Sequence, residues 1–526
     1  MLVNGKLNEN ALQFSNQLIL ARALLENNRA NKTLGKTLNV AGAGRAVSSA
    51  YEQLRNAAEY AQEHLLMQKA IRRFYVRNLS FQHEMTIKKL IAEELIIELT
   101  QSGYINNNTQ PVERVDQLRE IIQKNYKNYW RLKKSGISER ESHSWILDLL
   151  SVETESLVVK NIPQTAYVQF TYRHYKMTLK RELFVIAESE NADYDASLYV
   201  SVYRSLLKSD IAIVRHDMQK LYDISDTKIT EYSKFHKDID RIFNSDLTNK
   251  ITHHINKYGA PLRILKSMVR ENPDMSNMLN NRERFDSAYA DQIRHEYYDA
   301  RSKISSGLLK SIVFLLITKT LIGLAIEVPY DLLVSGAVMV VPLVVNLLAP
   351  VAYMILLGQG IKIPNQVNTD ALMDYADNML YGGLGQVDLY STAKKDHYPV
   401  VFKIIYAIMF LAAFIIVSYL LAYLGFNIVQ GGIFLIFLAA ASFLGFRLAK
   451  VVQELELVTL KTGIIMAARD FLFMPFTVLG KWMSEKYQKI NFVSLILDTI
   501  IELPLKTVLR LVRQWTGFVN QKKDEI

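Results

Sequence analysis

From Val400 to Gly425 the chain runs "VVFKIIYAIMFLAAFIIVSYLLAYLG" with Lys403 as its one charge, and a turn later a second apolar run extends from 428 to 452. About 20 apolar residues cover the ~30 Å hydrocarbon core of a bilayer, and a backbone crossing that core must close its own hydrogen bonds. These two runs therefore commit the second half of the chain to membrane helices. Two more, 307–327 and 331–358, bring the expected spans to four. The second of the four is irregular, with Pro342 and Pro350 placed around Asn346, which predicts a kink, a broken helix or a re-entrant hairpin.

Charge follows the same division. Residues 307–526 hold only 18 of the 62 Lys and Arg and 15 of the 52 Asp and Glu, so the first 306 residues are the soluble half. Their basic excess is mild and spread out, unlike the dense Lys/Arg stripe of a nucleic-acid surface, and it suits a domain held near an anionic membrane face. Nucleic acid is not an expected partner. Arg301, Lys303 and Lys310 precede the first span, Lys394 and Lys395 the third, and Arg447 and Lys450 close the fourth, while Glu327, Asp331 and the uncharged "GFNIVQ" mark the opposite side. The positive-inside bias then puts both termini in the cytoplasm of a multi-pass plasma (inner) membrane protein. The first 32 residues lack a basic segment followed by a continuous apolar one, so no cleavable signal is expected.

The expected fold class is mainly α: a large N-terminal helical soluble domain, a polytopic helical membrane domain of about four spans, and a C-terminal amphipathic helical region. The domains are 1–300, the helical domain, of one or two subdomains; 301–360, the first membrane pair; 361–399, a loop with a short helix; 400–452, a membrane hairpin; and 453–526, the amphipathic region. Apolar residues recur at helical spacing through most of 1–246. One stretch dissents: "QTAYVQFTYRHYKMTLKRELFVIAE" from Gln164 is rich in β-branched and aromatic residues and is expected to open as a strand. In "NTDALMDYADNMLYGG" Asn368 or Thr369 is the expected helix start and Gly382 the stop.

Chemical motifs are thin. "ANKTLGKT", ending on Lys36 and Thr37, meets a relaxed phosphate-loop pattern but lacks the preceding buried strand, and reads better as a linker between helices. "HEMTI" at His83 and "HEYYD" at His295 lack the second histidine of a zinc helix. Asp370, Asp374 and Asp377 share a helical face that reads best as solvated, with a hard cation as the sharper reading. With no cysteine the chain has no disulfide, thiol catalysis or cysteine-ligated metal. No catalytic residue, metal site or cofactor is expected, and a small-molecule substrate is left open.

What remains are charges where charges are expensive. Lys319 lies inside the first span, and on a regular helix Glu327 falls about 80° around and two turns away, so Lys319 is expected to find water, a headgroup or a group such as Asn346 on another helix. Lys319, Asn346, Arg469 and Asp470 form the candidate intramembrane polar site. From Asn491 onward Asp498, Glu502, Lys506 and Arg510 recur at four-residue steps among apolar residues and Trp515, the pattern of a helix in the membrane interface or packed on partner helices. Ala441 and Gly445 form a small-xxx-small pair suited to tight helix packing or to self-association. The expected partners are the lipid bilayer and a protein partner or a second copy. Two functions follow: a membrane-anchored interaction or scaffold protein, or an oligomeric channel or transporter using Lys319 and the broken segment around Asn346.

Overall fold

The protein is represented by a computed structural model that describes residues 6–32, 37–40, 42, 44–59, 63–81, 89–159, 162–184, 188–226, 228–382, 400–458, 473–483 and 503–524. The described chain is helical from end to end, with one isolated bridge between Thr37 and Pro111. Its helices are α1 (Glu9–Lys32), α2 (Arg45–Glu59), α3 (Leu66–Asn78), α4 (Lys89–Gln101), α5 (Glu113–Lys134), α6 (Glu139–Val158), α7 (Ile162–Thr178), α8 (Glu188–Val202), α9 (Ile211–Leu221), α10 (Ile229–Phe243), α11 (Asp246–Tyr258), α12 (Ala260–Glu271) and α13 (Met275–Leu279). There follow α14 (Arg282–Ile322), α15 (Val328–Ser335), α16 (Val340–Gly360), α17 (Gln366–Tyr381), α18 (Val400–Tyr423), α19 (Ile428–Gln453), α20 (473–483) and α21 (Leu503–Asp524). Two compact units divide them: one of 1–6, 256–268 and 278–490, the other of 7–255, 269–277 and 491–526.

The unit built on 7–255 is a layered helical bundle. On α5 the residues Val115, Leu118, Ile122, Tyr126, Tyr129 and Leu132 are buried, three or four apart, which is one face of a 3.6-residue helix. They meet Ile71, Phe74 and Tyr75 of α3, Leu95 and Ile96 of α4, and Trp145 and Leu150 of α6 in one core. Gly136, at φ +84°, turns the chain between α5 and α6, and the Ser138 side chain caps α6 by accepting from Glu141 N. The strand expected from Gln164 is instead α7. Tyr167, Phe170, Thr171, His174 and Tyr175 are buried at steps of three, one, three and one, a helical period, and Phe170 stacks on Phe14 of α1 at 4.6 Å. Packing on that face overrides the β propensity of the residue types.

Among the described residues the second unit contains four helices long and apolar enough to cross a membrane: Arg282–Val334, Val340–Gly360, Ile404–Tyr423 and Ile428–Gln453. The first is a continuous rod of 53 residues, about 80 Å at 1.5 Å per residue. It does not break at Glu327–Asp331, as expected above, but passes through a π-helical turn at Gly323–Glu327 into α15 and ends at Gly336, φ +70°. Neither does the Pro342–Pro350 segment break or fold into a hairpin. Pro342 sits in the first turn of α16, where its missing N–H costs nothing, and Pro350 is carried inside a helix that runs unbroken to Gly360.

Glycines and leucines tie α14, α16 and α19 together. A Cβ on Gly307 would lie 2.5 Å from Leu448, one on Gly358 2.6 Å from Leu308, and one on Gly445 2.5 Å from Leu357, so each pair of helices meets backbone against side chain. The Ala441–Gly445 pair is part of this packing, with Ser442 donating to the Tyr353 hydroxyl at 2.8 Å. Beyond α19, Asn368 holds the chain: its Oδ1 accepts from Leu457 N at 2.7 Å and Val458 N at 3.1 Å, and its Nδ2 donates to Leu455 O and the Tyr297 hydroxyl. The start of α17 is accordingly capped by Asn365, not by Asn368 or Thr369, while Gly382 closes it.

Candidate functional site

The π turn decides the geometry of the intramembrane polar site. Each α-helical residue turns the chain about 100°, so an eight-residue step misses the starting face by about 80°; a π turn takes in one extra residue and brings the step to within about 20° of that face. Lys319 and Glu327 therefore line up, and Lys319 Nζ donates to Glu327 Oε1 at 2.8 Å with both side chains buried. This corrects the expectation that Glu327 is out of reach. Pro329, near the start of α15, has no N–H to return to residue 325 and crowds its carbonyl, and Gly323 opens the turn; these two residues are the sequence signal for the extra residue.

Asn346, from α16, closes the other side of the pair. Its Nδ2 donates to Glu327 Oε2 at 2.8 Å and reaches Gln430 O of α19 at 3.4 Å. The ammonium of Lys319 also stands 4.7 Å from the centre of the Phe437 ring. Sequence reasoning thus picked two members, Lys319 and Asn346, that the fold brings to one carboxylate, and missed the carboxylate itself.

One turn further along, Asp331 is wholly buried and accepts from three residues. Gln430 Nε2 lies 2.8 and 3.0 Å from its two oxygens, Asn427 Nδ2 2.8 Å away and Met339 N 3.2 Å away. Met339 is the residue before α16, and Asn427 and Gln430 form the capping box of α19. The carboxylate therefore lies at the positive ends of two helices, which offsets its charge without a cation. The expected spans end at Glu327 and restart at Asp331, but both residues lie within one continuous helix. Two oxygens differ from the rest: Asn346 Oδ1 is buried with no hydrogen-bond partner among the described residues, and the carbonyl of Asn346 faces Pro350, which has no N–H to give it.

Arg469, Asp470, Asp498 and Glu502 lie outside the described residues, as do Lys36, His83, Lys394 and Lys395. Of the acidic trio on α17, Asp377 pairs with Arg282 at 2.7 Å and Asp370 accepts from Gln366 Nε2. Among the described residues no group of three His, Asp or Glu converges as metal ligands.

Among the described residues of the other unit, buried charge gathers in two of its clusters. Arg215 is buried between Asp148, at 3.6 Å, and Asp240, at 2.6 Å; Trp145 Nε1 donates to Asp240 and the His236 ring stacks on the indole. Burial, then the Arg215 charge, holds His236 neutral far below its ordinary range, and burial raises the Asp148 carboxyl in spite of Arg215 and Arg72. The second cluster takes Lys506 of α21. Its Nζ lies 3.3 Å from Glu98 and 3.6 Å from Glu52, with the Ser102 and Ser48 hydroxyls at 3.3 and 3.5 Å. Arg73 pairs with Glu52 at 2.8 Å and Arg77 with Glu98 at 2.5 Å. Burial pushes the Glu98 carboxyl up, but Lys506 and Arg77 outweigh it and hold the group below its usual range. Arg510 lies one turn after Lys506 on α21, and Trp515 is exposed.

Comparison with protein-family models, curated proteins and solved structures gave no match.

Proposed function

We propose that the protein is a membrane-anchored interaction module: four spans hold it in an inner membrane with both termini cytoplasmic, and its helical unit offers a surface to a protein partner. The observation that carries the anchor reading is that the intramembrane charges are met inside the chain. Lys319 has Glu327, and Asp331 has the donors at two helix starts. Such contacts fix three helices against one another at the depth where slippage is otherwise cheap. Support for the interaction surface comes from α1, whose inner side packs Phe14 and Leu18 while Leu12, Ile19, Leu20 and Leu24 stand exposed.

A second reading, an oligomeric channel or transporter, draws on the two Asn346 oxygens and on the buried polar chain from Lys319 to Asp331. Reconstitution in liposomes loaded with a pH- or potassium-sensitive dye separates the two. The anchor reading expects flux no higher than in protein-free vesicles, for the wild type and for Lys319→Leu alike. Flux that the wild type supports and Lys319→Leu abolishes overturns it in favour of the second reading.

A further inference from the structure

The helix α21 has two chemically opposite sides. With Lys506 as reference and 100° per residue, Val508, Leu511, Val512, Trp515 and Phe518 fall within roughly 60° of the opposite direction. Those five are 54%, 59%, 43%, 67% and 52% exposed, whereas the Lys506 side chain is 11% exposed in the pocket of Glu52, Glu98, Ser48 and Ser102. Five large apolar side chains on one side of a 22-residue helix form a stripe that water does not favour.

We propose that α21 is a two-faced clamp that seats the 7–255 unit on an anionic bilayer surface. Lys506 fastens the helix into the acidic pocket made by α2 and α4, and the opposite stripe, centred on Trp515, enters the lipid interface. The occupant is identified by chemistry. Besides Lys506 the helix carries four basic residues against one acid, which complements anionic headgroups, and an indole amid aliphatic side chains is favoured at the headgroup level. Four helices able to cross a membrane in the same chain bring a bilayer to the protein in any case.

The inference rests on the chain lying in a bilayer, and the test separates the two. The sequence has no cysteine, so single cysteines placed in the full chain label cleanly. Val512→Cys, on the stripe, and Gln514→Cys, about 160° around the helix from it, each carrying the fluorophore NBD, are reconstituted in phosphatidylcholine vesicles with and without one-third phosphatidylglycerol. Flotation of the vesicles reports insertion of the spans. In floated protein the clamp predicts blue-shifted emission at 512, quenching by brominated lipid that strengthens with phosphatidylglycerol, and a water-exposed label at 514. Equal iodide quenching at both positions overturns it, as does self-quenching at 512 that follows protein density instead of lipid charge, which marks a second copy as the occupant.

The pocket half is read by hydrogen exchange. Lys506→Glu sets a third carboxylate beside Glu52 and Glu98 and is expected to speed amide exchange in α21 and around residues 48–52 and 98–102 roughly tenfold, with flotation unchanged. Lys506→Met, which removes the charge without reversing it, moves exchange the same way by less. Unchanged exchange in both variants refutes the latch.

Discussion

At the level of single residues, the chain places ionisable groups where water cannot reach them and then supplies the counter-group from a neighbouring helix or from a later turn of the same one. Lys319, Asp331 and Arg215 all follow this pattern. Where the counter-group is missing, pH becomes the lever. Burial, with Asp210 adding to it, raises the Glu155 carboxyl to about 7, above its ordinary 4.5. The fold thus favours the protonated acid, so this contribution to stability is full below about pH 4.5 and is lost as pH rises through 7. Glu155→Gln should therefore raise the melting temperature more at pH 8 than at pH 5, and an equal shift at both would refute the assignment. His174 runs the other way. Burial depresses it to about 4 from 6.5, so the neutral ring is favoured and its contribution, full above pH 6.5, is lost as pH falls toward 4. His174→Gln should flatten the acid limb of a melting-temperature profile between pH 6.5 and 4; an unchanged limb would contradict this.

Among the elements, the π turn at Gly323–Glu327 explains what the sequence conceals. Lys319 is conspicuous as a lysine in an apolar run, but its partner is invisible as long as every residue is assigned 100° of rotation. Pro329 and Gly323 are the legible trace, since both mark places where a helix changes its winding. The end of the first membrane helix was likewise misplaced because Glu327 and Asp331 look like loop residues until their partners on α16 and α19 are known. A deletion tests the turn. Removing Leu324, which is 65% exposed, converts the π turn to a regular one and leaves the helix on either side in its original register, so the Lys319–Glu327 pair survives. Removing Val344 turns Asn346 about 100° away from Glu327. We expect the first deletion to melt in detergent within a few degrees of the wild type and the second well below it; the opposite order would show that Gly323–Glu327 is an ordinary helical stretch.

Across the whole molecule, composition alone separated the charged helical half from the half with four apolar helices, because length and hydropathy need no knowledge of partners. It did not reveal that 256–268 and 278–306 belong to the same compact unit as the membrane helices, since that depends on contacts such as Arg263 to Glu454 O and Arg282 to Asp377. The central claim is that the intramembrane charges lock this unit together. The direct test is a double-mutant cycle on the full chain in lipid nanodiscs, following unfolding of the wild type, Lys319→Met, Glu327→Gln and the double variant. Each single change strands a buried group and should cost about 3–5 kcal/mol, while the double variant should recover at least about 2 kcal/mol of the summed loss. Single losses that simply add would contradict the account.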